Sequence, residues 1–322
     1  MNEFALIDRF FRRAAHDPAV RMGIGDDGAV VVPAPGCDLV FSVDMLVEGR
    51  HFLADVAPAA LGHKTLAVNL SDMAAMGARP RWALLAGALP DVDERWLGEF
   101  ARGLFALADR FDVALIGGDT TRGPRNLCLT IIGEVPAGTA LARAGAKSGD
   151  DIYVSGMLGD AALALAVLQG RAALGDADFA LVRARLDTPE PRVALGERLR
   201  GVASAAIDIS DGLTGDLRHI LDRSGVGAAI DVALIPRSMQ VATLIDGAGR
   251  DLGLACLLGG GDDYELCFTA AESSREALAA IARDLHLPLT RIGRVTAGAG
   301  LVVRDERGVP LATLPRSFDH FA

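Results

Sequence analysis

The chain has 322 residues, with 32 basic and 42 acidic side chains and a formal net charge of −10. This acidic balance argues against generic nucleic-acid binding, which requires a positive surface, and against a polybasic membrane anchor. Hydrophobic residues make up 51% of the chain and charged residues 23%, so the composition is that of a folded protein rather than a disordered one. At about 100–200 residues per domain, the length indicates two domains or one large one.

The first half of the sequence alternates predicted helices and strands. Helical spacing predicts helices over 4–14, 57–76 and 93–112. Apolar runs bounded by Gly and Pro predict strands over 29–33, 38–44, 82–90, 113–119 and 126–136. The following segment, 137–150, has no strong periodicity, and we therefore place a boundary there between domains at 1–137 and 138–322.

The second half continues the alternation. Strands are predicted over 151–156, 228–236 and 264–270, and a strand that leads into a turn over 204–212. Helices are predicted over 159–170 and 212–225, with one more helix after a turn at Thr188–Pro191. The fold class is therefore α+β with two domains. Both halves contain a strand that ends in clustered aspartates.

Several classes of protein are excluded by what the sequence lacks. Its four cysteines show no CxxC spacing, which predicts reduced thiols in a cytoplasmic protein without a zinc site. The six histidines never fall at i, i+4. No apolar run approaches about 18 residues, so no transmembrane helix is expected, and the N-terminal residues do not resemble a secretory signal.

Aspartate recurs at the ends of apolar strands and on one helix face. The six segments are Gly25–Gly28, Ser42–Asp44, Asn69–Asp72, Gly117–Thr121, Asp208–Gly212 and Gly260–Tyr264. Asp72 lies on the apolar face of its helix, where an ionised carboxylate is costly unless it is paired or bound to a metal.

If these carboxylates converge, two outcomes are open. The carboxylates either share protons or bind a hard cation, and an oxygen-rich set without histidine favours Mg²⁺ or Ca²⁺. Mg²⁺ held by a few carboxylates and substrate phosphates is the arrangement that phosphoryl transfer uses.

The sequence does not match other common nucleotide-binding and metal-binding motifs. The GxGxxG pattern at Gly23–Gly28 is followed by a strand, whereas a dinucleotide fingerprint requires a helix there. The sequence contains no Gly-Lys dipeptide and hence no Walker P-loop. An EF-hand loop beginning at Asp208 would place His219, rather than Glu, at its twelfth position. Among the positive side chains near the motifs, Arg143 could bind a nucleotide phosphate as a fork donor or form a surface ion pair.

The motifs resemble those of the thiamine-monophosphate kinase family. The matching segments, which extend in this order along the whole chain to Asp319-His-Phe, are Met22–Gly28, His51-Phe52, Ala67–Gly77, Ile116–Gly123, Ile207–Gly212 and Gly260–Leu266. Each motif is short, but six in one order are specific. The resemblance implies ATP-dependent phosphorylation of thiamine monophosphate to thiamine diphosphate with several Mg²⁺ ions. It also implies a homodimer built on an N-terminal α/β domain with a mixed sheet, and a C-terminal α+β domain.

The resemblance also implies site residues. The implied metal ligands are Asp27, Ser42, Asp44, Asp72, Asp119, Asp208 and Asp211. The implied ATP-binding residues are Asp27, Gly118, Asp119, Arg143 and Ser210. The implied substrate-binding residues are His51, Asp262 and Phe318. No general base is assigned, because the substrate phosphate, with a second pKa of about 6, is largely ionised at neutral pH.

Three positions depart from the family pattern, which often has Glu at 262, Tyr or Trp at 318 and a hydroxyl residue at 43, where this chain has Asp262, Phe318 and Val43. Two alternatives stay open. One is another member of the superfamily, aminoimidazole-ribonucleotide synthetase or selenophosphate synthetase, although the reactive Cys and Lys typical of the latter are absent before Gly23. The other is a non-catalytic protein that binds Mg²⁺, Ca²⁺ or nucleotide.

Overall fold

The computed structural model describes residues 3–13 and 17–318. It divides into two compact units. The N-terminal unit comprises Met1–Met73 and Ala78–Thr139, and the C-terminal unit comprises Ala74–Gly77 and Ala140–Ala322. Asp319-His-Phe, the end of the family resemblance, lies outside the described residues.

The N-terminal unit contains a mixed sheet with helices. Its helices are α1 (Glu3–Phe10), α2 (Pro58–Ala75) and α3 (Glu94–Arg110). Its strands are β1 (Val20–Met22), β2 (Val30–Val31), β3 (Cys37–Val47), β4 (Arg79–Leu89), β5 (Ala114–Arg122) and β6 (Asn126–Pro136). The main sheet has the order β3-β6-β4-β5, with β4 and β5 parallel and the other pairs antiparallel. The predicted mixed sheet is thus confirmed, and β1 and β2 form a separate antiparallel pair.

Helices α2 and α3 pack closely because glycine occurs where they meet. A Cβ atom on Gly62 would lie 2.0 Å from the Phe100 carbonyl oxygen, and one on Gly103 would lie 1.8 Å from that of Ala59. Helix α3 begins after Asp93, whose carboxylate accepts hydrogen bonds from two amides of the first turn. This packing buries α2 on most sides, so its polar residues must find partners within the fold.

A partly buried ion-pair network connects Asp17 to the main sheet. Arg81 donates to Asp17 at 2.9 Å and to Glu134 at 2.6 Å, and the Trp82 indole donates to Asp17 at 3.0 Å. Burial opposes ionisation of Asp17, but hydrogen bonds from the Ala19 amide and Arg81 outweigh it and lower the pKa.

The C-terminal unit is a six-stranded sheet covered by helices. Its helices are α4 (Asp160–Leu168), α5 (Asp176–Asp187), α6 (Val193–Leu199), α7 (Leu213–Ser224), α8 (Met239–Asp246), α9 (Arg250–Gly259) and α10 (Arg275–Asp284). Its strands are β7 (Asp151–Ser155), β8 (Ala205–Asp208), β9 (Gly227–Asp231), β10 (Leu266–Ala270), β11 (Leu289–Thr296) and β12 (Gly300–Arg304). The order is β12-β9-β11-β7-β10-β8, with β12 parallel to β9 and every other pair antiparallel.

The structure corrects several predicted boundaries. Helix α1 ends at Phe10 rather than at 14, and β9 ends at Asp231, after which Val232–Leu234 form a 3-10 turn instead of continuing the strand to 236. Helices α5, α8, α9 and α10 and strands β1, β11 and β12 were not predicted. Within the described ranges, no helix has the length and apolar character needed to cross a membrane.

Candidate active-site residues

In the N-terminal unit, two of the aspartate segments line one cavity of about 760 Å³. The Gly25–Gly28 loop contributes Asp27 to the cavity, and strand β5 contributes Gly118 and Asp119. A Cβ atom on Gly118 would lie 1.9 Å from the Leu85 carbonyl oxygen, so only glycine fits this part of β5. The structure therefore brings together three of the residues expected to bind metal and nucleotide.

A second group of expected ligands lies on β3 and α2. The Ser42 hydroxyl donates a hydrogen bond to the Asp72 carboxylate, which gives this helix carboxylate a polar partner. Asp44 follows Ser42 at i+2 and hence lies on the same face of β3. Burial and the charge of Asp44 together raise the pKa of Cys128 on the neighbouring strand. None of Ser42, Asp44 and Asp72 is among the lining residues of the cavity that holds Asp27.

His51 has a defined ring orientation. Its Nδ1 atom accepts a hydrogen bond from the Val47 amide at 3.0 Å. A nitrogen that accepts carries no proton, so in the neutral ring Nε2 is the donor. The neutral ring thus has a single N–H, at Nε2.

In the C-terminal unit, the Asp208–Gly212 segment forms a tight turn between β8 and α7. Asp208 ends β8 and is buried. The amides of Ser210, Asp211 and Gly212 all donate to one carboxylate oxygen of Asp216, each at 3.1 Å. Burial, and then the charges of Asp208 and Asp211, raise the pKa of Asp216 to about 7.

Asp262 and Phe318 lie against this same turn. The Asp262 amide donates to the Ser210 carbonyl at 2.8 Å, and the Phe318 amide donates to the Asp211 carbonyl at 3.0 Å. We call Ser210, Asp211, Asp262 and Phe318 the C-terminal cluster. The structure therefore joins expected nucleotide, metal and substrate residues through backbone hydrogen bonds, although more than 50 residues separate neighbouring segments in the sequence.

The segment that carries Asp262 has an unusual backbone. Asp262 has φ = 68° and Tyr264 has φ = 49°, both in the left-handed region, and the Tyr264 hydroxyl donates to Asp262 at 3.1 Å. Between them, the buried Asp263 carboxylate accepts the Gly159 amide at 3.0 Å, and burial raises its pKa well above the ordinary value. Such conformations persist only where the surrounding structure fixes them.

Glu265 fixes the other end of this segment. It is fully buried and accepts hydrogen bonds from Ser155 at 2.6 Å, Arg185 at 2.7 Å and the Nε atom of Arg192 at 2.6 Å. A buried charge requires such pairing. Asp263 and Glu265 lie in the Gly260–Leu266 motif but had no predicted role, and Asp216 was not predicted as a functional residue. The available signal for Asp216 was an acid in the first turn of a predicted helix that directly follows an aspartate motif.

The structure does not bring Arg143 to the Ser210 turn. The Ser224 hydroxyl donates to the Arg143 carbonyl at 3.4 Å, so the Arg143 backbone lies at the C-terminal end of α7. The Ser210 turn lies at the other end of this 12-residue helix, roughly 18 Å away at 1.5 Å per residue. The Arg143 side chain is exposed, and its contact with ATP stays a prediction.

The chemistry of the donors fits Mg²⁺, since they are carboxylates and hydroxyls without histidine or thiolate. Across residues 3–13 and 17–318, no three His, Cys, Asp or Glu side chains are gathered closely enough to form a metal site by themselves. This agrees with the usual binding of Mg²⁺ through one or two carboxylates together with substrate phosphates.

The fold and these residues define a class. The model of the AIR synthase related protein N-terminal domain matches residues 25–135, and that of the C-terminal domain matches residues 147–306. The chain thus has the two-domain architecture of AIR synthase related proteins.

Full-length relatives narrow the class. The chain is 49% identical to the thiamine-monophosphate kinase of Salmonella typhimurium and 48% identical to that of Escherichia coli, in each case over 99% of this chain and 98% of the relative. The crystal structure of thiamine-monophosphate kinase from Stenotrophomonas maltophilia aligns with a TM-score of 0.87 at 50% identity, over 97% of this chain and 98% of the other. The structure of AaThiL complexed with AMPPCP and TMP aligns with a TM-score of 0.78 at 30% identity, over 90% of this chain and 89% of the other. The chain belongs to the thiamine-monophosphate kinase family.

Proposed function

We propose that this protein transfers the γ-phosphoryl group of ATP to thiamine monophosphate, forming thiamine diphosphate and ADP. The full-length identity to thiamine-monophosphate kinases supports this activity, as does the similarity to a ThiL bound to AMPPCP and TMP. Within the molecule, the observation that carries the proposal is the C-terminal cluster, in which Asp262 and Phe318 bond to the backbone of Ser210 and Asp211.

The chemistry needs positioning more than proton transfer. An oxygen of the substrate phosphate attacks the γ-phosphorus, and the bond from that phosphorus to the oxygen bridging it to the β-phosphorus breaks, so that ADP leaves. The nucleophile is ionised at neutral pH because the second pKa of a phosphate monoester is about 6. His51 donates its Nε2–H to a substrate phosphate oxygen, while Asp262 and Phe318 contact the thiamine moiety.

The nucleotide and its metal are assigned to the remaining carboxylates and to Gly118. The residues that would hold Mg²⁺ are Asp27, Ser42, Asp44, Asp72 and Asp119 in the N-terminal unit and Asp208 and Asp211 in the C-terminal unit. When bound, Mg²⁺ neutralises the charge of the two polyanionic substrates. Gly118, which is exposed and has no side chain, offers close approach to ATP. ATP binding is also assigned to Ser210 and Arg143.

We also propose that the protein is a homodimer formed through β3. This edge strand carries a row of exposed apolar side chains, with exposed fractions of 63% at Phe41, 59% at Val43 and 51% at Met45. An apolar edge strand of this length favours pairing with another chain. We place nucleotide binding and dimerisation in domain 1–137. We place the protein in the cytoplasm, in keeping with its four free cysteines.

The activity is tested with the purified chain, ATP, Mg²⁺ and thiamine monophosphate. We expect thiamine diphosphate and ADP in equal amounts, quantified by chromatography. Asp208→Asn should abolish turnover with the fold intact, whereas Asp284→Asn, which alters an exposed ion pair with Arg198, should leave it unchanged. Binding of nucleotide without product would favour the non-catalytic alternative, and a folded protein inactive on thiamine monophosphate would overturn the proposal.

A further inference from the structure

The turn between β8 and α7 is closed by a carboxylate of its own chain. Asp216 is 4% exposed and lies in the first turns of α7, and one of its oxygens accepts three successive amides, those of Ser210, Asp211 and Gly212. Successive amides that converge at the beginning of a helix usually form a site for an anion such as phosphate. Here the anion position is already filled by Asp216.

This arrangement differs from an ordinary helix cap. A cap residue accepts amides of the first helical turn and so stabilises the helix. The residue before α7, Gly212, has no side chain with which to cap it. Asp216 instead reaches backwards, and all three amides it accepts, those of Ser210, Asp211 and Gly212, precede the first helical residue, Leu213.

The backbone around the turn leaves it little room to move. A Cβ atom on Gly261 would lie 2.3 Å from the Ser210 carbonyl oxygen, and one on Gly212 would lie 2.6 Å from the Gly259 backbone. The turn is therefore held from outside by close backbone packing and from inside by Asp216.

We infer that Asp216 is a positioning residue for the metal and nucleotide contacts of the Asp208–Gly212 segment. Its carboxylate fixes the backbone of this turn, so that Ser210 and Asp211 reach their ligands through side chains while their amides are withheld from phosphate. This inference rests on the proposed function, which assigns Asp208 and Asp211 to Mg²⁺. It adds that phosphates approach this turn only through metal or the Ser210 hydroxyl.

Asp216 is a third acid near Asp208 and Asp211, so negative charge accumulates in a buried position. That charge disfavours the metal-free fold, since like charges repel. The repulsion falls when a cation binds nearby. An apolar residue would fill the space without this penalty, but it could not accept the three amides.

The test compares the full-length Asp216→Ala, Asp216→Asn and Asp305→Ala variants with the parent chain. Asp305 is a matched control because it also accepts two nearby amides, those of Arg307 at 2.9 Å and Val309 at 2.8 Å, in a loop of the same unit remote in sequence. Three quantities are measured: hydrogen exchange of the 210–212 amides without metal, binding of Mn²⁺ with ATP by electron paramagnetic resonance, and kcat and KM for thiamine monophosphate.

Asp216→Ala should speed exchange of the 210–212 amides and weaken Mn²⁺ binding by about 10–100-fold, the usual effect of losing a group that orients metal ligands. Asp216→Asn retains one acceptor oxygen and should lie closer to the parent. Asp305→Ala should change neither property. If Asp216→Ala does not fold, Asp216→Glu, which moves the oxygens by one methylene, should show the same weakened Mn²⁺ binding.

A folded Asp216→Ala with Mn²⁺ binding and exchange equal to those of the parent would overturn the inference. So would a loss of thermal stability that leaves Mn²⁺ binding unchanged, because that result describes a purely structural residue. If the parent forms no thiamine diphosphate but Asp216→Ala still weakens Mn²⁺–ATP binding, the proposed activity fails and the positioning role stands.

Discussion

Glu265→Gln isolates the contribution of one buried charge to the C-terminal unit. Glu265 is fully buried and faces two guanidinium groups, those of Arg185 and Arg192, which are 28% and 16% exposed. Glutamine has nearly the same volume as glutamate but carries no charge. Its NH₂ group would face the hydrogen-bond donors of Arg185 and Arg192, to which it cannot donate. Arg185 and Arg192 then lose the anion with which they pair.

Removing one partner of a buried ion pair costs about 3–5 kcal/mol. Because both arginines retain some contact with water, we expect the lower end, about 3 kcal/mol. For a unit of this size, each kcal/mol lowers the melting temperature by about 2–4 °C, so the expected decrease is roughly 6–12 °C. Glu272→Gln is the control, since Glu272 is 56% exposed and pairs with two exposed arginines, and its loss should cost less than about 1 kcal/mol.

The chain provides a separate optical probe for each unit. Both tryptophans, Trp82 and Trp96, lie in the N-terminal unit, and both tyrosines, Tyr153 and Tyr264, lie in the C-terminal unit. Thermal unfolding is therefore followed by tyrosine near-ultraviolet circular dichroism and by tryptophan fluorescence on the same samples. Glu265→Gln should lower the tyrosine transition by much more than Glu272→Gln does. Equal shifts in the two variants would refute the argument that burial makes this charge important.

Three further predictions concern the N-terminal unit. Phe41→Glu places a charge in the apolar row of β3 and should convert a dimer to a folded monomer in light scattering, whereas a dimer that persists would contradict the proposed interface. Gly118→Ala should disrupt the fold or abolish nucleotide binding, measured by calorimetry, because its Cβ has no space, while Gly28→Ala, which meets nothing within 4 Å, should be tolerated. Asp17 has a lowered pKa in the folded state, so its ionised form stabilises the fold fully above its ordinary pKa of 3.8, and this stabilisation is lost as the pH falls. Asp17→Asn should therefore make acid unfolding, followed by tryptophan fluorescence, less sensitive to pH. An acid transition that does not change in this variant would contradict the argument.

Sequence patterns predicted the long elements of the N-terminal unit well. The two long helices have clear apolar periodicity, and α3 also has a capping acid at Asp93. Strand β9 was overextended because the apolar residues of the 3-10 turn at Val232–Leu234 have the same composition as a strand. Periodicity alone cannot separate a buried turn from a short buried strand.

The C-terminal sheet depends on pairings that local sequence does not encode. The parallel pair of β12 with β9 joins segments about 70 residues apart, with the pair β9–β11 beside it. In the structure, backbone hydrogen bonds join Asp262 to Ser210 and Phe318 to Asp211. The role of Asp216 could not be predicted, because it depends on how the turn curves to direct three amides at one atom.

Position 262 shows how backbone handedness limits the choice of an acid. The residue there has φ = 68°, a conformation that Asp and Asn adopt much more readily than longer side chains do. The family that the motifs resemble often has Glu at this position. The longer Glu side chain extends further towards a ligand, but it fits a left-handed backbone less easily. A longer side chain and a left-handed backbone are therefore difficult to combine at this position. This chain has the shorter acid, Asp262, together with the left-handed backbone that favours it.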